Sequence, residues 1–279
     1  MLCLLGAILT SASISVLMRL TEKKVKSSLA MFAGNYAVCV LLSGLYMGNV
    51  SFMAEKAGLS CLLGTVSGVL FLAAFLLLKK SITANGVMLS SMFMKLGVLV
   101  PTLSAILFFH EQMRPMVAAG FAVALVAILL LNGETGERTG ERSLGLLLTL
   151  LLVGGMADTM SNVQEELGNA RCKDIFLLTT FLSALLCTAV LLFIRERKTA
   201  SMTDALMGAV IGIPNYFSTR LLLLALNTMP AVVAYPVYST AVPLVVSGCG
   251  ILLFHEHLTK KKALAFLAML AALLLLNLG

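Results

Sequence analysis

The chain has 279 residues, of which 59% are hydrophobic and only 12% charged, and its mean hydropathy is +1.01. A soluble domain of this length carries about a quarter charged residues, so a water-facing surface cannot be assembled from this composition. The chain reads as an integral membrane protein, and its net charge of +7 must be judged by where the basic residues fall.

The apolar runs are continuous and approach or exceed the roughly 18 residues of a spanning helix, whereas barrel strands alternate apolar and polar over about ten. Ten spans are predicted. The first, 2–19, has no basic residues ahead of its apolar run, and its basic residues follow that run. It therefore reads as a spanning helix and not as a secretory leader. Spans 28–47 and 58–78 follow, the latter with Gly64 and Gly68 four residues apart, a spacing suited to close helix packing.

Span 84–109 carries Lys95 almost at its middle, with Ser91 one turn before it on the same face. An ammonium at bilayer centre costs at least about 2.5 kcal/mol on insertion scales. The bilayer half-thickness of about 15 Å is also long for a side chain to snorkel across. Lys95 is expected to face a cavity or a buried ion-pair partner. The span contains Pro101 and ends in ILFFHEQM at 106–113. Span 115–132 follows, and the polar, Gly-rich NGETGERTGERS at 132–143 forms the longest connection.

Span 144–165 loses its apolar run at Met156, too early to cross a membrane. Continuing as a helix through ADTMSNVQEEL would put Asp158, Asn162 and Glu165 on one stripe and Met156, Met160, Val163 and Leu167 on the other. The apolar stripe is expected to face lipid and the acidic one a cavity. The plainer alternative is a short span with 158–166 already in water. An acid at Asp158 can pair with Arg220, bind a cationic substrate or carry a coupling proton.

After span 175–194, span 203–226 contains Pro214, Asn215, Tyr216 and Arg220. Arg220, with Tyr216 one turn away, suits a carboxylate or phosphate on a substrate, or equally a salt bridge with Asp158. Span 229–254 holds Tyr235, Pro236, Tyr238, Ser239 and Pro243, and runs into ILLFHEHL at 251–258. Pro101, Pro214, Pro236 and Pro243 take the helical N–H away from the carbonyls of Gly97, Val210, Val232 and Ser239. Inside a membrane such carbonyls must meet protein, water or ligand, so these prolines mark kinks in cavity-lining helices. Span 262–278 ends the series.

ILFFHEQM and ILLFHEHL agree at five of eight positions and lie 145 residues apart. Ten spans divide into five and five, and a unit with an odd number of spans enters the membrane in opposite senses in its two copies. The basic residues agree with this. Loops joining spans 1–2, 3–4, 5–6, 7–8 and 9–10 hold 14 Lys and Arg, and the other side holds Lys56, Arg114, Arg171 and Lys173. By the positive-inside rule the rich loops are cytoplasmic and both termini lie outside. The charge therefore belongs to membrane topology and not to nucleic-acid binding. The expected organisation is a five-helix repeat at 1–132, a cytoplasmic linker at 133–143 and a second repeat at 144–279, inverted around a central cavity as in carriers that alternate access.

A span with an internal Pro, a phrase ending Phe-x-Glu, a polar break and a final apolar helix occurs twice. It reads LNTMPAVVAYPVYSTAVPLVVSGCGILLFHEHL with KKKALAFLAMLAALLLLN, and NGVMLSSMFMKLGVLVPTLSAILFFHEQM with RPMVAAGFAVALVAILLLN. These stretches resemble the drug/metabolite transporter superfamily, in particular its ten-helix EamA type. One departure is that Pro101 and Pro243 are offset by 142 rather than 145. The resemblance implies a basket of helices around a cavity, transport of small metabolites or drugs, and no ATP-binding part.

Three function classes are weighed: a secondary transporter, a membrane-embedded enzyme, and a non-transporting scaffold or receptor. All three histidines fall at span ends and no spanning serine has a local base, so an enzyme is not expected. His110–Glu111 and His255–Glu256 are not zinc-protease motifs, because Arg114 and Thr259 stand where HExxH needs its second His. Glu111 and Glu256 are read as gating or surface groups. The six cysteines show no metal spacing, and neither a metal nor a cofactor is expected. The expected substrate is an amino-acid-like zwitterion or small anion in preference to a cation, bound near Lys95, Ser91, Asn215, Tyr216, Arg220, Tyr235, Tyr238 and Ser239. Asp158, Asn162 and Glu165 are the candidates for proton or ion coupling or an ion pair. A cell (inner) membrane location and a monomer or homodimer complete the expectation.

Overall fold

A computed structural model describes residues 2–47, 57–100, 103, 115–132, 144–167, 172–196, 199–226, 231–255 and 260–278. Ten α-helices lie among them: α1 Leu2–Thr21, α2 Ser28–Tyr46, α3 Ala57–Asn85, α4 Val87–Leu96, α5 Pro115–Asn132, α6 Leu144–Leu167, α7 Lys173–Leu191, α8 Met202–Leu226, α9 Ala231–Phe254 and α10 Lys260–Leu278. A π-helical turn, Leu192–Glu196, extends α7. Helix is the expected state, because a backbone in lipid must satisfy its polar groups within each segment. Six of these helices are long and apolar enough to cross a membrane, and three shorter stretches (Val87–Leu96, Pro115–Ala124 and Ala263–Leu275) are apolar too. Leu2, Leu45 and Leu252, each at least 77% exposed, belong to an outward apolar surface suited to lipid.

Two boundaries differ from the sequence reading. The expected break after residue 78 is helical: α3 runs through Lys79 and Lys80 to Asn85, lysine being a good helix former. The chain turns on Gly86 alone, whose φ of 87° is one that residues with a side chain rarely adopt. The Ser81 and Ser90 hydroxyls bond across this corner at 2.8 Å, and Asn85 Nδ2 donates to Ser81 Oγ at 3.4 Å. The second difference is an interruption: α4 ends at Leu96 and Gly97 and Val98 form a turn, after which Leu99, Val100 and Leu103 are again helical, and the rest of the expected span to 109 lies outside the described residues. By contrast α6 is continuous to Leu167, which places 158–166 in a helix.

One pair of helices matches at both ends at the interval of the repeated phrase: Ser28 and Lys173 open, and Tyr46 and Leu191 close, their helices 145 residues apart. α2 packs on α7, α4 on α9 and α5 on α10.

The chain forms two compact units, and each draws on both halves of the sequence. The first comprises Met1–Arg19, Leu77–Gly155 and Ser218–Gly279. Its core joins Phe93 and Leu96 of α4, Ala124 and Ala127 of α5, Leu147 and Leu151 of α6, and Met269 and Leu273 of α10. At one end of this unit the Arg19 guanidinium donates to the Ile82 carbonyl at 3.3 Å and lies 5.9 Å over the Phe254 ring. That residue ties α1 and α3 to the end of α9.

The second unit comprises Leu20–Leu76 and Met156–Phe217. Phe32, Tyr36, Phe71, Phe75 and Phe181 form its aromatic core. Here α3 meets α7 closely: a β-carbon at Gly68 would lie 2.3 Å from the Thr180 carbonyl oxygen. The start of α2 is held by two carboxylates. Asp204 accepts from the Ser27 N–H at 2.9 Å and the Lys26 N–H at 3.3 Å. Glu196 accepts from the Ser27 hydroxyl at 2.5 Å and the Leu29 N–H at 3.1 Å. Unpaired amides and the positive end of the helix dipole make this a favoured place for anions.

Candidate functional site

Lys95 stands in the last turn of α4. Beyond it the helical ladder shortens to three-residue steps, with the Gly97 N–H on the Met94 carbonyl and the Val98 N–H on the Lys95 carbonyl, both at 3.3 Å. The break has a local cause. Glycine is about 1 kcal/mol poorer than alanine in a helix, and Pro101 has no N–H to offer the Gly97 carbonyl. That carbonyl accepts from Val100 at 2.9 Å instead. Neighbouring α6 exploits the gap: a β-carbon at Gly155 would come within 2.3 Å of the Gly97 oxygen, and one at Gly97 within 2.9 Å of the Gly155 nitrogen. Only glycine at both positions permits this approach.

The half-buried Lys95 side chain crosses to α9, where its Nζ lies 4.4 Å from the centre of the Tyr238 ring. The ring face attracts the ammonium, as does the negative end of α4. Ser91 and Ser239 are buried in the same unit, and Arg220, also in that unit, is half-buried near the end of α8. The structure therefore joins Lys95 with Tyr238 and gathers Ser91, Ser239 and Arg220 into the same unit. Tyr235 and Pro236 lie within α9, and their side chains are outside the described ones. Helix α9 continues through both Pro236 and the buried Pro243, and Ser247 Oγ donates to the Pro243 carbonyl at 2.6 Å. Pro101, Glu111 and Glu256 lie outside the described residues.

Asn215 and Tyr216 belong to the second unit. Asn215 Nδ2 donates to Asn35 Oδ1 at 3.3 Å and reaches Cys39 Sγ at 3.5 Å, while the Cys39 thiol donates to the Gly212 carbonyl at 3.4 Å. Tyr216 stacks on Tyr46 with ring centres 5.9 Å apart, and Pro214 sits inside α8. On α6, Asp158 is exposed, as are Met156 and Leu167 of the apolar stripe, and Gln164 is buried. Asn162 and Glu165 share that helix, but their side chains are not among the described ones. No cluster of metal-ligating side chains occurs among the described residues.

Several polar residues escaped the sequence reading. Asn35 and Tyr36 are fully buried in α2, and Asn35 Nδ2, the Tyr36 hydroxyl, both amide atoms of Gln164 and the Thr240 hydroxyl have no hydrogen-bond partner among the described residues. An asparagine in the middle of the apolar run 28–47 was the signal for Asn35.

Residues 145–278 match the EamA-like transporter family, part of the drug/metabolite transporter superfamily. The matched stretch is just under half of the chain. An uncharacterized protein of Haemophilus influenzae is 25% identical over 232 residues, covering 77% of the present chain and 76% of its own length. A crystal structure with 13% identity superposes with a TM-score of 0.65 over 98% of this chain and 94% of the other, a likeness of fold alone. The apolar helices together with this likeness mark the chain as a multi-pass membrane protein.

Proposed function

We propose that the EamA-like protein is a secondary transporter that moves a small solute bearing a negative group, zwitterion or anion, by alternating access. The observation that carries this reading is Lys95. It is an ammonium at the end of a helix interrupted within an otherwise apolar span, lying 4.4 Å from the Tyr238 ring on a helix of the other sequence half. Interrupted helices beside a charged group are where membrane carriers build solute sites, and an intramembrane charge implies a task that repays its cost. The limits of α2 and α7, spaced by 145 residues, support two related halves. With five spans in each half, the copies would enter the membrane from opposite sides. The side bearing 14 of the loop Lys and Arg would face the cytoplasm, leaving both termini outside.

In this mechanism the solute displaces the Tyr238 ring as partner of the Lys95 ammonium, and Arg220 and Ser91 contribute further donors. The two related halves exchange conformations around the occupied site. Uptake of candidate solutes into proteoliposomes tests the proposal. Lys95→Ala is expected to abolish flux while leaving the yield of monodisperse protein unchanged; wild-type flux in that variant would remove Lys95 from the site.

A further inference from the structure

We infer that the end of the second unit where α2 begins is a binding surface for an anionic phospholipid, whose headgroup phosphate is held by Lys23, Lys24, Lys26 and Arg195. The inference rests on membrane residence and not on the transport reading.

Two segments about 170 residues apart are fixed to each other at this end. The Lys26 and Ser27 N–H groups donate to Asp204, and the Ser27 hydroxyl and Leu29 N–H donate to Glu196. The Thr199 and Ala200 N–H groups fold back onto the Glu196 carbonyl at 3.0 and 2.9 Å, and the Lys24 N–H closes a turn on the Thr21 carbonyl at 3.0 Å. The three lysines are thereby held at the same end as Arg195, the neighbour of Glu196 in the chain.

The same bonds sort the charges. Asp204 is buried, and Glu196 and Glu22 are half-buried, whereas all four cations are exposed. The carboxylates of Asp204 and Glu196 are turned to the amides and hydroxyl at the start of α2. By sequence alone, 22–27 and 195–204 carry six Lys and Arg against three acids, so the joined segments are net positive.

Apolar side chains adjoin the cations. The π turn presents Phe193 and Ile194, 65% and 69% exposed, immediately before Arg195, and Met202 at the start of α8 is 76% exposed. Leu206 and Val210 continue that exposed stripe along α8 at four-residue steps. The ends of spanning helices lie at headgroup depth. A phospholipid there covers the apolar stripe with its chains while its phosphate meets the cations through charge-assisted bonds. Each Lys or Arg near an anionic membrane surface strengthens such attachment.

The purified full chain in a neutral detergent, titrated with short-chain phosphatidylglycerol, short-chain phosphatidylcholine or inorganic phosphate, reports binding through its thermal midpoint. Phosphatidylglycerol is expected to raise the midpoint, and phosphatidylcholine and phosphate are not. Gln in place of Lys23, Lys24, Lys26 or Arg195, one at a time on exposed side chains, should each weaken the apparent affinity for phosphatidylglycerol about fivefold. Lys260→Gln, which removes an exposed cation at the start of α10 in the other unit, should leave that affinity unchanged. Equal midpoint shifts with the two lipids overturn the inference, as does a shift with phosphate matching that with phosphatidylglycerol. Unaltered affinity in all four variants, or an equal loss in Lys260→Gln, overturns it too. These measurements involve no transported solute, so their failure leaves the Lys95 reading standing, and wild-type flux in Lys95→Ala would leave lipid binding untouched.

Discussion

Lys95 shows how one residue can be legible in type and illegible in partner. Its charge within an apolar run announces a cavity or a counter-charge, and in the structure its Nζ lies over the ring of Tyr238. A partly desolvated contact of this kind contributes about 1–2 kcal/mol. Tyr238→Leu is therefore expected to lower the thermal midpoint while Tyr238→Phe leaves it nearly unchanged, a comparison read by melting the two variants side by side. Asn35 presents the complementary case. Its bond with Asn215 joins α2 to α8 at 3.3 Å, and interhelical hydrogen bonds in membranes average about 0.6 kcal/mol. A double-mutant cycle between Asn35→Leu and Asn215→Leu should return a coupling of that size and sign. A coupling of zero would mean that the two amides act independently.

Helix ends and breaks decide more than helix centres do. The start of α2 is satisfied by side chains that arrive from about 170 residues away, with Asp204 only 2% exposed. The π turn at Leu192–Glu196 re-aims the last residues of the α7 segment, bringing Glu196 onto Ser27 and Leu29. Hydrogen bonds to charged groups contribute about 1.5–3 kcal/mol. Asp204→Ala is expected to destabilise the protein by about that amount and to speed amide exchange at Ser27 and Lys26, measured by hydrogen–deuterium exchange. The break in α4 is equally specific. Gly155→Leu would drive a side chain into the Gly97 carbonyl, and flux should fall in that variant if the geometry of the break serves transport.

For the molecule as a whole, the 145-residue interval links the sequence to the packing. The repeated phrase announced it, and the limits of α2 and α7, far from that phrase, obey it. Opposite insertion of the halves predicts that single cysteines at 112–114 and 259–262, in a background lacking reactive thiols, label from opposite sides of the bilayer. Labelling of both from one side would remove the inverted arrangement and with it the symmetry-based mechanism. The sequence division at 133–143 remains the proposed boundary between repeats. The compact units follow a different principle, since each gathers helices from both halves.

Membrane residence, helical class and most helix limits were determined by the sequence itself, because hydrophobicity and backbone satisfaction in lipid are local properties of a segment. Even the local errors have local causes: Lys79 and Lys80 read as a loop yet extend α3, and Gly97 and Pro101 together explain why α4 stops after Leu96. Only the tertiary structure decided which polar groups meet. Lys95 and Tyr238, Asn35 and Asn215, and Ser27 with Glu196 and Asp204 are joined across more than 140 residues of chain. A side chain's type states that it needs a partner, but packing alone selects which helix supplies one.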